Sequence, residues 1–554
     1  MRLLIHNRMT KNRLTSFSKI MSCMCFALVC IAGLGFRQVN ATRKTAKQDP
    51  STEEFKREII GLNIAGLTID QVLLIDQGTY TPKSTNKPLN DLPAFYLVAI
   101  TLKPTAQSDI KIELWLPRDN WNGRLLGTGN GGGAGSISYP SLVGGIKNGY
   151  ATVNTDMGTS HGGANGAVEK PEVWADFGYR ATHQMTVVAK AILKRYYGKA
   201  QSYAYFVGCS TGGQQALMEA QRFPDDYNGI IAGAPANNRT HLHTDFLLNY
   251  VSTNSNGKPI FSAADLTFIS KKITQAYALK SGGAPGDHFL TDPRLATVNF
   301  DELFKCKIGR ADTCLSDVQL QALKAIYRGA VNIRTNEQIY TAPPVGSESV
   351  GGGLNSQQTS TGANELFYQF KWAFGNNFDP LKFDFDRDQD KMDAALALIL
   401  NANNPDLSRM KKLGGKIIMY TGTADPLVPY QDALNYYERV IKKQQGLKQT
   451  QDFFRYFLIP GMGHCSGGPG LQGFSRNILT DMVSWVERGK APEQLLASGI
   501  ACCGIDLSVR FERPVFPYPK FPKYVGGDVN AASSYIGIDH ARHGVLKPAE
   551  RYLK

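Results

Sequence analysis

Beyond its first 41 residues the chain has no stretch long and apolar enough to cross a bilayer, which argues against a later membrane-spanning helix. Its nine cysteines include no C-x-x-C pairs at zinc-finger spacing, so no structural zinc site is expected. No cluster of Lys and Arg interleaved with aromatics stands behind the formal net charge of +14, so the basic balance reads as solvated surface and no nucleic-acid partner is expected. Part of that charge is N-terminal: Arg2, Arg8, Lys11, Arg13, Lys19 and Arg37 precede residue 42, where no acid stands. What remains is the composition of an ordinary globular protein, 42% hydrophobic and 19% charged, with 55 glycines that point to many tight loops. At 554 residues it is long enough for a large core and two or more domains.

Residues 1–41 read as a signal peptide, with a basic n-region, an apolar run from Ile20 to Phe36, and small residues at Val39-Asn40-Ala41 for cleavage. A membrane anchor would need a longer run and a stop-transfer flank. Ala27-Leu28-Val29 before Cys30 is a poor lipidation context. The mature chain is then secreted or periplasmic, with no membrane attachment. Cleavage removes Cys23, Cys25 and Cys30. Cys209, Cys306, Cys314, Cys465, Cys502 and Cys503 remain, an even number in an oxidising compartment, where pairing is expected.

Phe95–Leu102 and Ile110–Leu116 read as strands, the second alternating at period two. Tyr150–Thr155, Tyr203–Val207 and Ile230–Pro235 are further short strands, and Thr182–Tyr197 has the apolar spacing of a helix. Alternating strands and helices predict an α/β fold with a mostly parallel central sheet, over residues 42–235 and again over 406–554. Between them, 236–405 loses that alternation and reads as an inserted lid domain. Strands return at Lys416–Tyr420 and Phe453–Ile459, with a helix over Asp432–Lys443. The proline- and aromatic-rich segment after Arg510 is expected to wrap the core as loops.

Gly208-Cys209-Ser210-Thr211-Gly212-Gly213 lies between the 203–207 strand and a helix-forming stretch, the setting of a G-x-S-x-G nucleophile elbow. The motif alone is common. The returning strands strengthen it: one runs into Asp425 and the other into His464, completing the order Ser, Asp, His expected of an α/β-hydrolase. Taken singly, Asp425 would be an Asp-Pro turn and His464 a surface histidine. The run Gly127–Gly135 lacks the Lys-Ser/Thr ending of a phosphate loop, and a glycine-rich loop after an early strand suits an oxyanion hole. The expected donors are the N–H of Thr211 and that of Gly131 or Gly132. Cys209 precedes Ser210 and Cys465 follows His464, so a disulfide there would tie the nucleophile and base loops together.

This Cys-Ser…Asp…His-Cys constellation resembles the tannase/feruloyl esterase family, which includes mono(hydroxyethyl) terephthalate hydrolases. Trp121–Arg124, Glu219–Pro224, Asn403–Leu407, Gly414–Lys416, Arg513-Pro514 and Tyr518-Pro519 also look like family segments. The resemblance implies an α/β-hydrolase with an inserted lid, acting on esters of aromatic acids, and it implies a short lid disulfide between Cys306 and Cys314. It also raises a lid calcium held by an Asp-rich loop. Here Ala276 stands in place of the cysteine, Tyr277 and Lys280 in place of carboxylates, with Asp287 and Asp292-Pro293 following. Calcium is therefore expected to be weak or absent, no other cofactor is expected, and Lys280 is a candidate for the replacing positive charge. Asp384–Asp390 lacks the glycine and glutamate of an EF-hand loop and reads as a charged turn. Phe516 and Ile536 occupy the positions of a C-terminal family disulfide, which leaves Cys502 and Cys503 over.

The resulting expectation is a serine carboxylic-ester hydrolase working through an acyl-enzyme on a small aromatic ester of hydroxycinnamic or gallic type. A terephthalate-type or other aromatic monoester is the alternative. A non-catalytic binding protein of the same fold is the second alternative, disfavoured because every triad position is filled. Phe367, Tyr368, Phe370, Trp372 and Phe374 suggest either the wall of an acyl pocket or the core of the lid.

Overall fold

Nine strands form the central sheet of the computed structural model: β1 (Leu67–Ile75), β2 (Phe95–Leu102), β3 (Ile110–Pro117), β4 (Arg124–Thr128), β5 (Ala151–Thr155), β6 (Tyr203–Cys209), β7 (Gly229–Gly233), β8 (Lys416–Gly422) and β9 (Phe454–Ile459). The structure describes residues 51–160, 163–306, 314–359, 365–500, 510–539 and 547–553. The expected signal segment and the Cys502-Cys503 pair lie outside them. Strand order is β1-β2-β3-β5-β4-β6-β7-β8-β9. β1, β2, β3 and β5 run antiparallel to their neighbours in turn. From β5 through β4 and β6 to β9 every pairing is parallel. The fold is that of an α/β-hydrolase.

Period-two alternation sends neighbouring residues of the parallel strands into opposite layers. Ala204, Phe206, Ile230, Ile417, Met419, Tyr456 and Leu458 face one apolar core. Tyr205, Ile231, Ile418 and Phe457 face the other. Because both faces are covered, β7 is buried throughout its length, as a central parallel strand should be. The first core is closed by α1 (Ala181–Tyr197) and α2 (Thr211–Arg222), whose apolar faces it contains. In α1 the residues spaced for a helix, Met185, Val188, Ala189, Ile192 and Leu193, are all fully buried.

β7 and β8 are adjacent in the sheet, yet about 180 residues separate them in sequence. The described part of that insertion adds no strand to the central sheet. It is largely helical, with α3 (Arg239–Thr253), α4 (Tyr368–Phe374) and α5 (Asp388–Leu400) among its elements. The Asp384–Asp390 segment is a turn leading into α5, with Arg387 Nε donating to Asp384 at 2.7 Å. After the insertion, α6 (Tyr430–Lys443) packs on the first core and α7 (Ile478–Arg488) on the second.

The segment after Arg510 differs from expectation. It is not loops but strands: β12 (Arg510–Val515) pairs with β11 (Leu495–Ile500), which also pairs with the two-residue β10 (Gly473–Phe474), and β13 (Lys520–Tyr524) pairs with β14 (Tyr535–Asp539). Its prolines misled the sequence reading. Pro514 and Pro522 sit in edge strands, where the missing N–H costs no ladder bond inside a sheet. The Phe516 ring packs over the backbone of Gly537, beside Ile536, where the family disulfide would lie.

Candidate active site

Ser210 occupies the turn between β6 and α2 at φ +65°, ψ −120°, a conformation that non-glycine residues adopt only under constraint. Neighbouring backbone holds it there. The Ser210 N–H donates to Gly233 O at 3.0 Å, and the Gly212 N–H donates to Asn130 O at 2.7 Å. The turn and the Gly127–Gly135 loop cross at backbone contact. A Cβ on Gly208 would lie 2.3 Å from Gly212 O, and one on Gly129 would lie 2.5 Å from Gly212 Cα. These two glycines are required by space rather than by flexibility.

The loop after β8 carries Asp425, fully buried. Its Oδ1 accepts the N–H groups of Leu427 and Val428, each at 2.9 Å, and its Oδ2 lies 2.8 Å from Nδ1 of His464, which follows β9. With Nδ1 donating to the carboxylate, Nε2 is left as the basic nitrogen. Burial works against the imidazolium of His464, but the Asp425 charge and hydrogen bond outweigh it, and the net shift is upward from the ordinary histidine value. Cys209 and Cys465 form a disulfide with Cα atoms 5.9 Å apart, joining the residue before Ser210 to the residue after His464. Ser210 Oγ and the imidazole make no hydrogen bond among the described residues, a looseness common before substrate closes such a site.

Next in sequence to Ser210, the N–H of Thr211 has no acceptor among the described residues, although Thr211 is buried. Gly131 and Gly132 are exposed, and a Cβ on either would meet nothing within 4 Å, so the loop tip borders open space. Asn130 anchors this loop through Nδ2 to Thr155 O at 2.8 Å, and Gln215 Oε1 on α2 accepts the Asn130 N–H at 2.9 Å. An arrangement of this kind can deliver a serine oxygen to a carbonyl, hold a proton on a neighbouring imidazole, and offer backbone donors to the oxygen that gains charge.

The aromatic cluster of the insertion is packed as a core. Phe367, Tyr368, Phe370 and Trp372 are each at most 4% exposed and pack with Phe177, Met392 and Leu396. Phe374 is partly buried against the same core. Cys306 and Cys314 are joined by the second disulfide. The loop that aligns with the family's calcium site does not fit the ion, which needs six to eight oxygens. Tyr277 donates its hydroxyl to Thr297 O, Asp292 is held by both arms of Arg294, and Asp287 by both arms of Arg513. Lys280 does not supply the charge at Asp287; its ammonium lies over the Tyr277 ring, 5.2 Å from the centroid. Arg513 takes that place, in an ion pair whose two side chains are almost fully buried.

Sequence reasoning missed a second cluster behind the nucleophile turn. His183, Glu219 and Asp226 bring ligand-type atoms within 4.8 Å of one another. His183 Nδ1 lies 2.6 Å from Asp226, and Lys190 Nζ lies 3.4 Å from the same carboxylate. An ammonium already in that shell makes this a hydrogen-bonded carboxyl cluster. Burial and the neighbouring Asp226 push Glu219 well above the usual carboxylate range.

Comparison with known proteins agrees with this geometry. The profile of the tannase and feruloyl esterase family matches residues 98–538. The chain is 34% identical to an uncharacterized esterase of Xanthomonas campestris, over 89% of this chain and 92% of that one. It is 30% identical to feruloyl esterase B of Aspergillus niger, over 77% and 84%. The crystal structure of feruloyl esterase B from Aspergillus oryzae superposes with a TM-score of 0.79 at 28% identity, covering 87% of this chain and all of that one. Fold and likeness together define a carboxylic ester hydrolase built on the α/β-hydrolase scaffold. The chain belongs to the tannase and feruloyl esterase family.

The Cys209–Cys465 bond closes a loop spanning 256 positions, so chain entropy alone would give it a stabilisation of about 5 kcal/mol. The variant C209A/C465A is expected to lose a large part of that in a urea titration. Its activity is expected to fall more steeply than its folded fraction, because the bond also sets the spacing of Ser210 and His464.

Proposed function

We propose that this protein is a secreted or periplasmic serine esterase that hydrolyses esters of aromatic acids through an acyl-enzyme. The observation that carries the reading is the His464–Asp425 hydrogen bond, tethered by the neighbouring disulfide to a serine in an elbow conformation. Two disulfides, and relatives named as feruloyl esterases, support the location and the substrate class.

In this mechanism Ser210 Oγ attacks the ester carbonyl carbon while His464 Nε2 takes its proton. The carbonyl π electrons move to oxygen, and that oxyanion is held by the N–H of Thr211 and of Gly131 or Gly132. Asp425 keeps the ring in the correct tautomer and stabilises the imidazolium. Collapse expels the alkoxide, which leaves as the alcohol with the proton from His464. Water, deprotonated by the same nitrogen, then attacks the acyl-enzyme, releasing the acid and restoring Ser210.

Ser210→Ala is expected to lower kcat for a p-nitrophenyl ester by about a million-fold, the scale seen when a serine hydrolase loses its nucleophile; retained turnover in that variant would sink the mechanism. Among methyl ferulate, methyl gallate and a terephthalate monoester, the hydroxycinnamate or gallate is expected to have the highest kcat/KM. The terephthalate monoester coming first would favour the alternative substrate class.

His464 must be neutral to accept the proton, and its titration is raised. The acid limb of the kcat/KM profile is therefore expected above the ordinary histidine range, with activity lost as pH falls through it. In Asp425→Asn the residual activity should show that limb moved to lower pH.

We propose too that the Tyr277–Asp292 loop holds no calcium. Dialysis against EDTA should change neither Tm nor kcat, and a Tm that falls and returns with added calcium would contradict this.

A further inference from the structure

Arg239, the first residue of α3, carries its guanidinium from the helical insertion into the oxyanion loop. Its Nη2 donates to Gly132 O at 3.1 Å, to Thr211 Oγ1 at 3.0 Å, and to the Tyr368 hydroxyl. The Thr211 hydroxyl in turn donates to Gly132 O at 2.7 Å. One nitrogen therefore clips together the two segments that bear the candidate oxyanion donors, the glycine loop and the residue after the nucleophile. Arg239 is 3% exposed, its Nε and Nη1 are buried without a partner, and it makes no ion pair among the described residues. The Phe177 face, 4.9 Å from the guanidinium carbon, and the Tyr368 ring at 6.0 Å give it only π contact.

A buried, unpaired cation is costly, and removing a carboxylate partner from such a group usually destabilises a protein by several kcal/mol. Its presence beside the candidate oxyanion donors, with no carboxylate paired to it among the described residues, points to a use for the charge. We propose that Arg239 is a positioning residue of the oxyanion hole, fixing Gly132 and Thr211 and leaving its positive charge uncompensated until negative charge develops on the ester oxygen. The charge is felt locally: burial, and after it Arg239, hold the neighbouring His243 well below the ordinary histidine range. This inference rests on the serine-esterase reading above, in which an oxyanion forms next to Thr211.

The test measures p-nitrophenyl acetate hydrolysis, whose small acyl group makes few demands on specificity. In Arg239→Met and Arg239→Gln, kcat is expected to fall about 10- to 100-fold with KM within about threefold of wild type. Binding of phenylboronic acid, which becomes a tetrahedral anion on the serine, should weaken by a similar factor, while binding of benzoate, a flat product-like acid, should not. Arg239→Lys, which keeps the charge on a shorter side chain that must bring its one ammonium to the place of Nη2, should lie between. If the Met and Gln variants do not fold, Thr211→Val breaks the same clip through its hydroxyl and is expected to lower kcat and boronate affinity together. Wild-type kcat and boronate affinity in folded Arg239 variants would overturn the proposal while leaving the esterase reading intact. An equal loss of boronate and benzoate affinity would also overturn it, by showing general damage. A wild-type protein that turns over no ester would overturn both.

Discussion

Where β4 and β6 lie side by side, the loop leaving one strand crosses the turn leaving the other with no side chain between them. Gly129 meets Gly212 there, and Gly208 meets the same segment from below. Any Cβ at these crossings would enter a backbone atom, so the serine turn can be this sharp only if the loop is this bare. The positive φ of Ser210 sits within that contact, and the Gly212 N–H closes it by donating to Asn130 O. The rest of the site is arranged around it. α2 supplies Gln215 to hold the Asn130 N–H from one side, and the insertion supplies Arg239 from the other.

The acid and base halves come from a different part of the chain, and nothing local aligns them with the serine. Asp425 is oriented by the two N–H groups that follow it and His464 by Asp425, so the pair is rigid as a unit. The disulfide fixes that unit against the elbow. A covalent tie at the site itself suits a design in which the helical insertion separates β7 from β8. The parallel pairing of those strands restores the continuity of the sheet, and the bond restores it where the candidate site lies.

Most of the sheet could be read from the residues because its strands are short, apolar and followed by turn chemistry. Tyr203–Val207, Lys416–Tyr420 and Phe453–Ile459 carry a buried-strand composition that survives in the fold with ends shifted by a residue or two. The residues that follow these strands carry the candidate site, so the order Ser210, Asp425, His464 was legible too. The last strands were not, since Pro514 and Pro522 signal loops locally, and only pairing with Leu495–Ile500 and Tyr535–Asp539 makes edge strands of their segments. The aromatic run Phe367–Phe374 was ambiguous because a core and a pocket wall demand the same side chains; packing alone separates them. Arg239 was invisible for another reason. Its partners lie 28, 107 and 129 positions away, and no spacing rule connects an arginine at a helix start to a threonine, a glycine and a tyrosine so distributed. Lys280 is a candidate for the replacing charge because it stands where the resemblance puts a carboxylate, whereas the guanidinium paired with Asp287 comes from Arg513, 226 positions further along than Asp287.

The 256 positions between the bonded cysteines also set a clock. A ribosome adding about 5–20 residues per second completes Cys465 roughly 10–50 s after Cys209. During that interval β6 and its serine can exist without β9, His464 or the sulfur that will hold them together. A nascent chain in this state has the serine turn but not yet the histidine, and Cys306 and Cys314 arrive before the native partner of Cys209. Correct assembly thus depends on the order in which thiols emerge, and on any early bond from Cys209 to Cys306 or Cys314 exchanging for the native pairing once Cys465 arrives.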